Sequence, residues 1–343
     1  MQTPTKRHTV ILVAGHARSG TTWLGKIFDS HPRTLYRHEP EHEVKMADVP
    51  AWVFDIQAAQ YQGALCQYVR NLPEVRIWNV AGIPPVFRKE WESYGAYQQR
   101  RAMVYAARFI KRLYRKFEIR ERTEAARAGE APIVWKSITM LGRLNVVVRS
   151  TVGIRVVHLI RHPCGVLASR LRGGNLGKLR RLEDTVWIRQ GTRELFESCE
   201  ASLLEGLEVT AAEIIGLPIE DVFVLRWALL NAKAMNDIEA IPGCMTVRYE
   251  DLCADPVGMT RRLFDATGLT WHRQTEEFLR KSISKHSRWY YGVFKDPKRG
   301  AFGWREELSV GLQERVEVLV GRSLPGRLYY NPAALRPNDC TER

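Results

Sequence analysis

The chain has no C-x-x-C pair, no internal repeat, no low-complexity tract and no apolar run of bilayer length. A membrane-crossing helix needs about 18 or more consecutive apolar residues, and Val10 to Ala14 is too short even for a signal-peptide core. With no signal peptide or spanning segment in the sequence, a cytoplasmic protein is expected. Cys66, Cys164, Cys199, Cys244, Cys253 and Cys340 are scattered, which excludes the close spacing of a structural zinc site and leaves reduced, buried thiols. Carboxylates are also in short supply. There are 38 Asp and Glu against 52 Lys and Arg, a net charge of +14, which points to anionic partners: nucleic acid, an anionic membrane surface or a small polyanion. No helix-turn-helix, zinc finger or base-stacking motif is present, so nucleic acid is not expected as a partner.

What is there suits one large α/β unit. The 343 residues are 45% hydrophobic and 26% charged, enough to build a sizeable core, and a single domain over residues 1–343 is expected. Short β-branched runs at Val10 to Ala14, Ile133 to Trp135, Arg155 to Ile160 and Met245 to Arg248, with Leu35-Tyr36 as a further short strand, alternate with helical patterns. Such alternation predicts a P-loop-like three-layer fold, with a central, mostly parallel sheet flanked by helices. Helical insertions at roughly 45–130 and 173–217 are expected to shape an acceptor site. The first carries the most basic stretch, Arg100 to Arg122, with nine Lys or Arg interleaved with Met103, Val104, Phe109, Ile110, Leu113 and Phe117. It predicts an amphipathic helix with a solvated basic face, serving as plain surface charge or attracting an anionic acceptor or lipid surface.

Strand Val10 to Ala14 runs into Gly15-His16-Ala17-Arg18-Ser19-Gly20-Thr21-Thr22-Trp23 and then a helical pattern. Glycines let backbone N–H groups converge on an anion, the positive helix end adds its dipole, and Arg18 and the threonines add donors. The spacing of Gly15 and Gly20 matches the ATP-binding P-loop, but Thr21 stands where that motif requires Lys. A P-loop kinase or NTPase therefore lacks its phosphate grip, while a non-catalytic nucleotide-binding protein and a purely structural turn stay open.

The run Arg18 to Trp23 resembles the 5′-phosphosulfate loop of the sulfotransferases that use 3′-phosphoadenylyl sulfate (PAPS). Arg at position 18 resembles the carbohydrate and tyrosyl-protein members, whereas cytosolic members tend to carry Lys. Arg161 ends the strand Arg155 to Ile160, and Ser169 follows eight residues on, resembling the family's 3′-phosphate motif. His162 departs from it, because Asp or Asn is frequent there. Arg248-Tyr249-Glu250-Asp251-Leu252 resembles the recurrent Tyr-Glu-Asp-Leu turn, read as mainly architectural. Lys298-Arg299-Gly300-Ala301-Phe302-Gly303-Trp304 resembles the loop that closes over the nucleotide, with its basic pair reversed and Trp304 one place early.

The resemblance implies PAPS as donor, adenosine 3′,5′-bisphosphate as product and no metal requirement. Ser19, Gly20, Thr21 and Thr22 would hold the 5′-phosphosulfate with Arg18; Arg161, Ser169, Arg299 and Gly300 would hold the 3′-phosphate. Trp23 would stack on adenine or be a plain core residue. Sulfuryl transfer is an in-line displacement that needs cations at the leaving oxygen and a base for the acceptor hydroxyl. Arg18 and Lys136 fit the first need. Ile138 replaces the histidine that cytosolic members use as base, and Glu39, after the His31-Pro32 turn, is placed as in carbohydrate and tyrosyl-protein members. His38 or His42 as base, and a purely structural Glu39, are the alternative readings. A carbohydrate or glycolipid hydroxyl leads as acceptor, ahead of a small-molecule or lipid alcohol or phenol, and of a protein tyrosine. The oligomeric state is left open.

Overall fold

A computed structural model describes residues 9–46, 48–114, 131–175, 186–284 and 296–331. Strands β1 (Val10–Ala14), β2 (Leu35–His38), β3 (Ile133–Ser137), β4 (Arg155–Ile160) and β5 (Cys244–Arg248) form one sheet in the order β2-β3-β1-β4-β5. All four pairings are parallel. Parallel strands are covered on both faces, which is why β1 reads as an unbroken apolar run and β3 and β4 are buried nearly throughout.

Period-two alternation divides the strands between two cores. Val10, Leu12, Leu35, Ile133, Trp135 and Val156 face one side with α2 (Ala58–Asn71) and α4 (Leu144–Ser150). Ile11, Val13, Val134, Val157 and Val247 face the other with α1 (Thr21–Asp29), α9 (Pro256–Thr267) and α10 (Arg273–Ser284). The long α7 (Ile219–Ile238) is buried on most of its sides because it packs against β4, α4, α5 (Pro163–Asn175) and α6 (Val186–Ser198). The three-layer arrangement expected from the sequence is found. Because β1 lies between β3 and β4, the chain leaves it in opposite directions, and the carboxyl ends of these strands converge where ligands bind in such sheets.

In the first insertion, helix α3 (Tyr94–Leu113) follows a Ser93 cap that accepts from the Ala96 N–H. Its packing corrects the expected division of faces. Val104 and Ala107 are buried, but Met103, Phe109 and Leu113 are exposed. Two cations turn inward instead: Arg100 forms a two-pronged pair with Glu92 at 2.6 and 2.8 Å, and Lys111 donates to Asn79 at 2.9 Å. The expected continuation through Phe117, Glu118 and Arg122 lies outside the described residues, as do Leu176-Gly177 of the second insertion and Cys340. The other five cysteines are free thiols. No described helix is long and apolar enough to cross a membrane.

Candidate active site

The loop between β1 and α1 is tightly confined. A Cβ on Gly15 would lie 2.5 Å from the Leu159 carbonyl, and Gly20 has φ of +94° with Tyr249 ring carbons 2.5 Å from where its Cβ would be. Arg18 also has positive φ, at 76°. The turn therefore needs glycine at position 20 on two counts, conformation and space. The α1 N-terminus has no side-chain cap and no acidic residue in its first turn. The Ser19 hydroxyl is buried and finds no partner among the described residues. A buried unpaired hydroxyl beside an uncapped helix end fits an absent anion.

The second basic site adjoins the first. Arg18 Nε donates to Ser169 Oγ on α5 at 3.0 Å. Arg161 donates from one terminal nitrogen to the Arg18 carbonyl at 2.8 Å and from the other to the Gly300 carbonyl at 2.6 Å, while its buried Nε has no acceptor among the described residues. Thus Arg18, Arg161, Ser169 and Gly300, four residues singled out in the sequence, come together in the fold. Arg299 does not join them side chain first: it is exposed on α11 (Pro297–Phe302), whose first turn is capped by Asp296.

Tyr249, at the start of α8 (Tyr249–Ala254), is what the sequence reading missed. Its ring lies against Gly20, under the Arg161 guanidinium at 4.9 Å and edge-on to Trp23 at 6.2 Å, and its hydroxyl is 2.6 Å from where a Gly300 Cβ would be. Trp23 in turn donates its indole N–H to Ser282 at 3.2 Å. The rest of the turn is architectural as expected: Glu250 accepts from the His162 N–H and from the Tyr329 hydroxyl, and Arg248 pairs twice with Asp251. The two departures from the family pattern also meet. His162 stacks on Trp304 with ring centres 4.2 Å apart and accepts from the Cys164 N–H. Burial, and then the charges of Arg305 and Arg161, pull its pKa down to about 3, so the ring is neutral and packs as an aromatic.

At the far edge of the sheet, β2 ends opposite Lys136 of β3, in the register His38↔Lys136. Glu39 follows in left-handed backbone, φ 47° and ψ 50°, with its N–H donating to the Lys136 carbonyl at 2.7 Å. Its carboxylate forms a short ion pair with the buried Lys136 ammonium and meets His42 Nδ1 at 3.0 Å. Burial acts to raise the Glu39 pKa, but the His42 hydrogen bond and the Lys136 charge outweigh it and hold the carboxyl well below the usual range. His38, beside it, is pushed down to about 3 by burial and by Lys136, and its Nδ1 lies 2.8 Å from the Tyr36 hydroxyl.

A second residue missed in the sequence is Glu41. Buried two positions after Glu39, it accepts from Trp135 Nε1 at 3.1 Å, from Thr139 Oγ1 at 3.1 Å and from Ser137 Oγ. It fastens the 3-10 turn Pro40–His42 to the end of β3, and so sets where Glu39 stands.

A family model described as the sulfotransferase family matches residues 11–203. The chain belongs to the sulfotransferase family. It is 22% identical over 342 residues to carbohydrate sulfotransferase 3 of Mus musculus, covering 93% of this chain and 67% of that protein. To carbohydrate sulfotransferase 2 of Homo sapiens it is 23% identical over 327 residues, covering 88% of this chain and 61% of that one. It thus spans about two thirds of the length of these curated relatives. Among solved structures, the sulfotransferase domain of the Synechococcus PCC 7002 olefin synthase aligns over 98% of both chains at 15% identity with a TM-score of 0.44. The matched segment of this sulfotransferase-family chain contains Arg18, Glu39, Lys136, Arg161 and Ser169, whereas Tyr249 and Gly300 lie beyond it.

Proposed function

We propose that the protein transfers a sulfuryl group from PAPS to a hydroxyl of a carbohydrate or glycolipid. The observation that carries the donor assignment is the joining of two basic sites, through the Arg18–Ser169 and Arg161–Arg18 hydrogen bonds, beside an unpaired buried Ser19 hydroxyl. The acceptor class rests on these two curated relatives, both carbohydrate sulfotransferases, and on the Glu39 carboxylate that pairs with Lys136.

The loop Ser19-Gly20-Thr21-Thr22 and the α1 N-terminus hold the 5′-phosphosulfate, and Arg161, Ser169 and the Gly300 segment hold the 3′-phosphate. Arg299 supplies further positive charge at the mouth, and Trp23 with Tyr249 forms an aromatic wall suited to adenine. As the acceptor oxygen bonds to sulfur, the bond from sulfur to the bridging oxygen breaks and adenosine 3′,5′-bisphosphate leaves. Lys136 and Arg18 stabilise the charge that develops on that leaving oxygen. The acceptor's proton passes to the Glu39 carboxylate. In the ligand-free protein Lys136 and His42 hold Glu39 as a weak base; an anionic donor that engages Lys136 weakens that hold and raises the basicity of the carboxylate.

Calorimetry with adenosine 3′,5′-bisphosphate against ADP tests the donor: the bisphosphate should bind at least about ten-fold more tightly, a difference of roughly 1.4 kcal/mol. Tighter ADP binding would overturn the assignment. Glu39→Gln should lower turnover by about 100-fold or more while leaving bisphosphate affinity within a factor of two, in line with the worth of a positioned base.

A further inference from the structure

Helix α3 has two apolar faces and only one is used by the core. Val104 and Ala107 satisfy the inner face, closed by Arg100 on Glu92 and Lys111 on Asn79. On the opposite side Ala102, Ala106, Phe109 and Leu113 recur at helical spacing, with Tyr105 alongside and Tyr114 just beyond the helix end. Phe109 is 64% exposed, Leu113 65% and Tyr114 69%. A continuous apolar face of this kind on a soluble protein marks a surface that something covers. Exposed Arg101 and Arg108 run along one flank at i and i+7, and no Asp or Glu occurs anywhere from Tyr94 to Leu113.

We propose that this face of α3 is a docking surface for an anionic lipid bilayer, with Phe109, Leu113 and the tyrosines entering the interface and the flanking arginines meeting phosphate headgroups. An aromatic and aliphatic stripe bordered by arginine, without carboxylates, is the pattern of a helix lying in the plane of a membrane. Charge decides among occupants. A second copy of this chain would bring another α3 of like charge onto the first, in a protein of net charge +14, whereas an acidic leaflet neutralises the same cations. A free polyanion would use the arginines but leave the aromatic stripe unexplained.

The inner face of the same helix is bonded towards the candidate active site. Lys111 donates to Asn79, and Asn79 donates to Glu43 at 2.7 Å, one residue after the turn Pro40–His42 that follows Glu39. The docking itself does not depend on the acceptor being lipid-linked.

Co-sedimentation of the full chain with mixed phosphatidylcholine–phosphatidylserine vesicles, against pure phosphatidylcholine vesicles, tests it without any measurement of turnover. The protein should bind the mixed vesicles and bind the neutral ones at least about ten-fold more weakly, each cation contributing on the order of five-fold. Phe109→Ser with Leu113→Ser should weaken binding by about ten-fold or more, and Arg101→Glu with Arg108→Glu by a similar factor; the first pair should leave the thermal midpoint unchanged, because these side chains support no core. No binding of the unaltered chain to the mixed vesicles would overturn the proposal. So would binding that falls with the arginine pair but not with the Phe109 and Leu113 pair, the signature of a polyanion surface, or a dimer in solution that the Phe109 and Leu113 pair converts to monomer.

Discussion

Gly20 and Gly300 both face Tyr249, but they meet different parts of it. A Cβ on Gly20 runs into ring carbons in a residue whose φ is already positive, whereas a Cβ on Gly300 meets the hydroxyl at 2.6 Å, with the nearest ring carbon at 3.6 Å. Overpacking of this kind costs roughly 1 to 3 kcal/mol. Gly20→Ala and Gly300→Ala should each weaken adenosine 3′,5′-bisphosphate binding by about ten-fold or more. Adding Tyr249→Phe should restore most of the affinity to Gly300→Ala and none to Gly20→Ala, a contrast that calorimetry on the two double variants reads directly. No rescue of Gly300→Ala would show that the Tyr249 hydroxyl is not the neighbour that matters there. The sequence pointed to both glycines through the loops they sit in. It could not point to Tyr249, because a tyrosine opening the turn after β5 is equally suited to the core, and only folding sets its ring between two distant loops.

The turn Pro40–His42 shows how an element can hold a single side chain in place. Left-handed backbone at a non-glycine costs on the order of 1 to 3 kcal/mol, and Glu39 keeps it, against the extended preference of a residue before proline, because its N–H is bonded to β3 and Glu41 ties the turn to Trp135, Ser137 and Thr139. Glu41→Gln places an amide where a carboxylate accepts from three donors. It should cost stability on the order of 2 kcal/mol and lower kcat by about ten-fold, with bisphosphate affinity within a factor of two; an unchanged kcat would remove Glu41 from the positioning of Glu39. At this scale the strands were the most legible part of the sequence, since β-branched runs buried on both faces have few other uses. The faces of α3 were not. Periodicity found the helix, but Arg100 and Lys111 turn inward to specific partners while Phe109 and Leu113 remain outside, and hydropathy alone assigns them the other way. The Trp- and Tyr-rich insertion divides similarly: Trp52 and Tyr68 are core, whereas Tyr94 and Tyr105 are surface.

The whole molecule buries several histidines in neutral form. The pKa of His158 falls to about 4 through burial, that of His31 to about 4 through burial and then the Lys89 charge, and those of His38 and His162 to about 3. In the unfolded chain each returns to its ordinary 6.5 and takes up a proton that the folded protein refuses. Their contribution to stability is therefore fully present above pH 6.5 and is lost as the pH falls towards 4, by on the order of 1 kcal/mol per pH unit for each group. The thermal midpoint should fall steeply between pH 6.5 and 5, and a flat profile there would mean that these rings are accessible to protons in the folded state. Charge and composition pointed to an anionic partner, and the motifs resembled a PAPS site; neither could say how the loop after β1 meets the segment around Gly300. Arg161 and Tyr249 answer that by touching, at one place, the loop after β1 and the segment around Gly300. Under the proposed function, a nucleotide seated at Gly20 should therefore slow proteolysis near Pro297–Phe302, a stretch of chain that the matched family segment does not include.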